Sequence, residues 1–488
     1  MSGYLRRRWR APGGYRQFLA IALPLIITTA SWSVQHFVDR VFLAWYSTEA
    51  LAASMPAGMC SFLIVSLFTG VAGYGNTFVA QYTGAHRPER VGPAVWQGLY
   101  LAVVGGVVSV GAAALAEPLF DLIGHSPAVR REEIAYFRVL CYGIAPHIAG
   151  TAASCFYSGR GRTWVLLTVG VTAVLVNIVA DYLLIFGRCG LPELGIRGAA
   201  WATNLALLTS AVAFVVLFLL PAHQRRYHTL RGWRPDWDLF RRLLRYGGPN
   251  GLTFLLDMTA FTVFTLIIGR LGTLELAASN LALNVNHLAF MPLIGCGMAI
   301  STMVGQRLGR NDPAEAEYCT WTGLHVGGSY MAAMALGYLL VPEWFLSPFG
   351  ARAQDPDFAA AQLIAVNLLR VVAAYCLFDA FYMTFTAALK GAGDTRYILW
   401  MSVLLGWSIM VAPALVAIVW CRPSIYLLWA FLCANVIVSG VVFFVRFRAG
   451  HWKSMRVIEA PALAGAGLAA AGTDPDPGSH EQKLAWTN

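Results

Sequence analysis

Four carboxylates stand inside long apolar runs of this 488-residue chain: Asp39, Asp181, Asp257 and Asp379. A charged group in the middle of an apolar helix costs about 2.5–3.5 kcal/mol on insertion scales, so four of them point to function. In LVNIVADYLLIF, residues 175–186, Asn177 and Asp181 are four apart, and a helix places both on one face. Carboxylates grouped with amide and hydroxyl oxygens form a hard donor set, suited to Na⁺ and equally able to take a proton. The plain alternative is a structural pair with an arginine. Asp39 has Arg40 beside it, whereas nothing near Asp181 in sequence could neutralise it.

The elements that hold these groups follow from composition. The chain is 58% hydrophobic and 12% charged, with mean hydropathy +0.59, whereas a soluble domain carries about 25% charged residues. An all-α integral membrane protein is expected. A span needs about 20 apolar residues, and twelve runs qualify: 16–45, 51–82, 93–116, 134–158, 163–187, 196–220, 246–270, 276–306, 317–341, 360–389, 395–420 and 424–446. Residues 1–15 form a basic N-terminus, and LRRRWR leads into a full span without a small-residue cleavage site, so no cleavable signal peptide is expected.

Arginine and lysine gather on the side that holds both termini, including seven arginines between 225 and 245. The excess predicts cytoplasmic termini. It also accounts for the net charge of +10 without nucleic acid, since the basic residues are spread over short loops. Residues 221–245 read as a basic linker, with DWDLFRRLLRY as an amphipathic helix on the inner leaflet. The tail, 448–488, turns Ala/Gly-rich and then polar, a composition expected to be disordered.

The chain repeats itself. At an offset of 225, VAQYTGAHRP (79–88) falls on VGQRLGRNDP (304–313), matching Val79, Gln81, Gly84 and Pro88. At an offset of 232, Arg138 falls on Arg370 and SGRGRT (158–163) on KGAGDT (390–395). Six spans recur twice. Because six is even, the halves, 16–220 and 246–447, are parallel six-helix bundles related by a pseudo-two-fold axis along the membrane normal. Transporters are built this way, whereas a channel would show a filter loop or a ring of charges.

Depth groups the polar residues. Asp181 lies about six residues before one helix end and Thr203 about seven residues into the next, so both sit roughly 10 Å below the surface. Asp39 is in the same half of the membrane. Asp39, Asn177, Asp181 and Thr203 are therefore expected to form one cation- or proton-coupling cluster. The second half has no copy, because the matching positions are Ile409 and Pro413; it carries Asp257 and Asp379 instead.

Over nearly its whole length the chain resembles the multidrug and toxic compound extrusion (MATE) transporters, nearest their NorM-like bacterial branch. The resemblance rests on ALPLIITTASWSVQHFVDRVFLAW, VAQYTGAHRPE, NIVADYLLIFG, GIRGAAWAT, VGQRLGRNDP and LFDAFYMTFTAALKGAGDTR, in that order. It implies that Asp39 is the family's first-span acid and that Asn177, Asp181 and Thr203 are its amino-terminal-half cation site. It likewise makes Asp379 the tenth-span carboxylate. Asp257 stands where glutamate is common, and Arg40 where a small polar residue is usual. The implied activity is secondary antiport: Na⁺ or H⁺ enters while a small organic compound, often cationic and aromatic, leaves across the bacterial cytoplasmic membrane. A monomer suffices, since the two bundles lie in one chain, and no cofactor is implied beyond the coupling ion.

His36, His287 and Asn284 are expected as cavity groups; none of the histidines has zinc-site spacing. Cys189 and Cys421 lie near loops on the same side and match at the 232 offset, so a disulfide between them is conceivable. A flippase for a lipid-linked precursor is the alternative on this scaffold, but it would want more basic groups inside the spans. An enzyme would need an activated nucleophile or metal set, and an ATP-driven pump GxxxxGK[ST]; neither is present.

Overall fold

The computed structural model describes residues 2–350, 356–420 and 423–459. Cys421, and hence its pairing with Cys189, lies outside the described residues, as does the tail from 460 onward. Among the described residues there is no strand, and twelve long helices carry the fold. They are α1 (Tyr15–Tyr46), α2 (Thr48–Gly84), α3 (Pro88–Ala114), α4 (Pro127–Ser158), α5 (Thr163–Ile185) and α6 (Ile196–Phe218). The second six are α7 (Trp237–Gly269), α8 (Thr273–Gly309), α9 (Pro313–Leu340), α10 (Pro356–Ala392), α11 (Thr395–Trp420) and α12 (Ile425–Arg448).

Helices satisfy every backbone group internally, which a bilayer demands. Their starts are written locally. Ser47 Oγ accepts from the Ala50 amide at 2.9 Å, Asp236 Oδ1 from Leu239 at 3.0 Å and Asp312 Oδ1 from Glu315 at 2.9 Å. Eleven of the twelve are apolar enough to cross a membrane. The other, α9, has the length, but its Trp, Tyr, His, Gly and Ser residues dilute its hydropathy. The segment read as a separate amphipathic helix, from Trp237 to Arg245, is instead the beginning of α7, which runs unbroken through Pro249. The Asp236 cap fixes the start, and no breaker intervenes before Gly247. In α11 a π-helical stretch, Gly406–Val411, ends two residues before Pro413, whose missing N–H breaks the regular ladder.

The two bundles meet through a reciprocal seam at the end that carries the termini. Gln81 of α2 donates to the Gly391 carbonyl at 3.0 Å, and Gln306 of α8 donates to the Gly159 carbonyl at 2.8 Å. Gln81 and Gln306 match at the 225 offset and Gly159 and Gly391 at 232, so each bridge is the image of the other. A Cβ on Gly84 would strike the Gln306 carbonyl oxygen, and one on Gly309 the Gln81 carbonyl oxygen. Backbone turns repeat as well: His86 and Asn311 have φ of 57° and 60°, and Gly161 and Gly393 have 75° and 112°. Asn76 to Thr302 at 3.0 Å, Asn250 to the Gly70 carbonyl at 2.8 Å, Thr29 to the Met291 carbonyl at 3.0 Å, Tyr74 to the Lys390 carbonyl at 2.8 Å and Arg307 to Gln17 at 3.1 Å add to the seam. Among the described residues, the side-chain hydrogen bonds between the bundles lie in this half of the molecule. Further along, Phe62 of α2 meets Phe254 of α7 edge-on, with ring centroids 5.6 Å apart.

Gly84→Ala should force α2 and α8 apart, costing about 1–3 kcal/mol. A lowered melting temperature, together with a longer spin-label distance between the near ends of α2 and α8, is the expected result. An unchanged distance would show that the close approach does not hold the seam.

Candidate functional site

α1 packs against α5, and α5 against α6, inside the first bundle. This packing brings Asp39, Asn177 and Asp181 together. Asn177 and Asp181 are fully buried. With its amide nitrogen turned toward the acids, Asn177 donates to Asp39 Oδ1 at 2.9 Å and to Asp181 Oδ2 at 3.3 Å. The two carboxyl groups are themselves within hydrogen-bond reach. Asp181 Oδ1 is buried with no donor facing it. Carboxylates only accept, so this contact is comfortable only with a proton or a small cation between the groups. Arg40 is exposed and, among the described residues, makes no ion pair with Asp39.

One turn beyond the acids, Leu43 and Ile185 begin an apolar cluster with Ala50, Ala53, Ile196 and Ala199. It caps the pair at the end opposite the termini. Tyr136 of α4 packs on that cluster and lies within electrostatic reach of both Asp39 and Asp181. Sequence reasoning missed it, and nothing in its neighbourhood, EEIAYFRVL, marks it out. Thr203 is half-buried on α6, but among the described residues no hydrogen bond joins it to the other three.

His36 of α1 is exposed, and across the seam His287 of α8 lies within its electrostatic reach, as it does of Arg40. Asn284 is one turn from His287 on the same exposed face of α8. These exposed groups belong to facing helices of the two bundles.

In the second bundle no hydrogen bond joins the two carboxylates among the described residues. Asp379 is 6% exposed on α10 and Asp257 half-buried on α7. Tyr382 is in electrostatic reach of both, and Lys390 is in reach of Asp257. Lys390 stands at the start of KGAGDT, near the end of α10. Its repeat partner is Ser158, which bonds to Asn76 at 2.7 Å, and that mismatch is the signal that could have flagged it.

The MatE family model matches residues 24–183 and again 249–420, once on each bundle. The chain belongs to this family. It is similar to the multidrug resistance protein NorM of Burkholderia vietnamiensis, 29% identical over 442 residues, 90% of this chain and 94% of that one. It is 30% identical over 390 residues to the probable multidrug resistance protein NorM of Burkholderia pseudomallei, covering 80% of this chain and 83% of the relative. Among solved structures, an outward-facing multidrug resistance MATE transporter superposes with a TM-score of 0.81 at 19% identity, covering 92% of this chain and 98% of that one. The protein is thus a multi-pass membrane transporter of the MATE multidrug efflux family.

Asn177→Ala should remove the amide that bridges the acids and destabilise the first bundle by about 1–3 kcal/mol. Thermal unfolding in detergent should record the loss, and a melting temperature equal to wild type would show that the amide carries none of the cluster.

Proposed function

We propose that this MATE transporter is a secondary antiporter that exchanges Na⁺ or H⁺ for small organic, often cationic and aromatic, compounds. The observation that carries the reading is the buried Asp39–Asn177–Asp181 group with its unanswered Asp181 oxygen. A proton or Na⁺ between the carboxyls removes their repulsion, and occupancy by the ion and release of the organic compound can then alternate. Such a ligand shifts the conformational balance only as far as it prefers one state. Asp257 and Asp379, with Lys390 as a fixed cation near the first, are assigned to substrate or a second coupling step. His36, His287 and Asn284 are assigned to the cavity wall, and Thr203 to an auxiliary oxygen that joins when the ion binds.

The charge excess supports cytoplasmic termini in a bacterial cytoplasmic membrane. In that orientation the glutamine seam lies toward the cytoplasm. A single chain supplies both bundles, so the monomer is proposed as the working unit.

The test is efflux of a fluorescent organic cation from liposomes holding wild type or Asp181→Asn, under a Na⁺ gradient, a pH gradient or neither. We expect one gradient to drive wild type and the variant to lose that drive by at least tenfold. Drive that persists in Asp181→Asn would move coupling to Asp257 and Asp379. Absence of transport under every gradient would sink drug export and turn attention to lipid translocation.

A further inference from the structure

At the end of the first bundle opposite the termini, on its outer flank, α4 and α6 frame a cavity of about 460 Å³ lined by Glu117, Arg131, Arg138, Tyr142, Arg197 and Trp201. None of these takes part in the acid cluster. The cavity is layered. Arg138 and Arg197 each sit four residues, about 6 Å, above an aromatic residue on the same helix. Those aromatics, Tyr142 and Trp201, stack across the two helices with ring centroids 6.1 Å apart and planes 11° apart, and both are about half exposed. Beneath Trp201, Leu205, Leu208, Val212 and Val216 continue an exposed apolar stripe down α6. Arginine, then aromatic, then aliphatic is the order of headgroup, interface and hydrocarbon in one leaflet.

Charge decides what fits. Arg138 is paired with Glu117 at 2.8 Å. Arg131 and Arg197 are exposed and have no carboxylate partner among the described residues. The nearby Glu132 and Glu193 face Tyr46. Three guanidinium groups therefore meet one lining carboxylate. A guanidinium matches a phosphate's paired oxygens, which an aliphatic contact cannot do. The second repeat has no such set: adding 232 gives Leu363, Arg370, Ala374, Trp429 and Cys433. The groove is thus an addition to the first bundle, not part of the shared scaffold.

We propose that this groove binds an anionic phospholipid of the surrounding leaflet. The phosphate lies between Arg131, Arg138 and Arg197, the glycerol on the Tyr142–Trp201 stack and an acyl chain along α6. The same two helices are tied behind the groove, where Asn204 of α6 donates to the Val139 carbonyl of α4 at 2.6 Å. Tyr136, two turns from Tyr142 on α4, faces the acid pair. A bound lipid braces the helices that wall that site.

Native mass spectrometry of the purified full chain, titrated with phosphatidylglycerol or phosphatidylcholine, tests the assignment. Wild type should retain phosphatidylglycerol in preference. The double variant Arg131→Ala/Arg197→Ala, which breaks no ion pair, should bind it about thirtyfold more weakly (~2 kcal/mol), with phosphatidylcholine unaffected. The control Arg188→Ala/Arg270→Ala removes two exposed arginines from the same end and should bind like wild type. Equal binding of the two lipids by wild type, equal loss in the control, or displacement by millimolar inorganic phosphate would each overturn the proposal.

Discussion

The close approach of α2 and α8 at the end that carries the termini is the contact on which the arrangement of the two bundles depends. Gly84 and Gly309 let the backbones come together, and only at that separation do the glutamine side chains reach the opposite bundle's turn. Gln81 reaches Gly391 and Gln306 reaches Gly159, and the Gln81 oxygen also accepts the Val457 amide at 2.9 Å. In a medium that offers no water, an amide without these carbonyls would be expensive to bury. The glycines and the glutamines are therefore one device, made twice by duplication. A seam of this type is self-complementary in the way a two-fold interface is, although both sides belong to one chain.

Much of this was legible. Twelve apolar runs gave twelve helices because a hydrophobic stretch of that length in lipid has no other stable form. The repeat exposed Gln81, Gly84, Gln306 and Gly309 as matched residues, though not that they touch one another. The four-residue spacing of Asn177 and Asp181 put them on one face, and the packing of α1 on α5 added Asp39. Tyr136 could not be found, because its nearness to the acids depends on where α4 packs and not on its neighbours in sequence. Lys390 was hidden by its place at a helix end, where basic residues are ordinary. The continuity of α7 was masked by Gly247 and Pro249, which look like a boundary; inside a packed bundle the helix passes through both.

The scaffold is symmetric and the chemistry is not. The first bundle gathers two carboxyls and an amide under an apolar cap. The second joins its carboxylates by no hydrogen bond among the described residues and places a lysine near one of them. A buried carboxylate with a fixed cationic neighbour is already neutralised in part, so it has less need of an ion from solution. Beside the pair in the first bundle, Arg40 is exposed and, among the described residues, makes no ion pair with Asp39. Two carboxyls in contact repel unless a proton or cation is present, so the energy of the first-bundle pair depends on that occupancy.

That dependence bears on the seam. A hydrogen bond between neutral groups contributes about 0.5–1.5 kcal/mol net, so the few bridges between the bundles amount to several kcal/mol together. An ion can change the balance between two conformations only by the difference in its affinity for the two. Moving that balance from one extreme to the other takes about 5.5 kcal/mol. The polar bridges of the seam are thus of the same order as the shift that an ion at the acid pair would have to supply. The glycine-spaced glutamine bridges fix the register in which α2 and α8 meet.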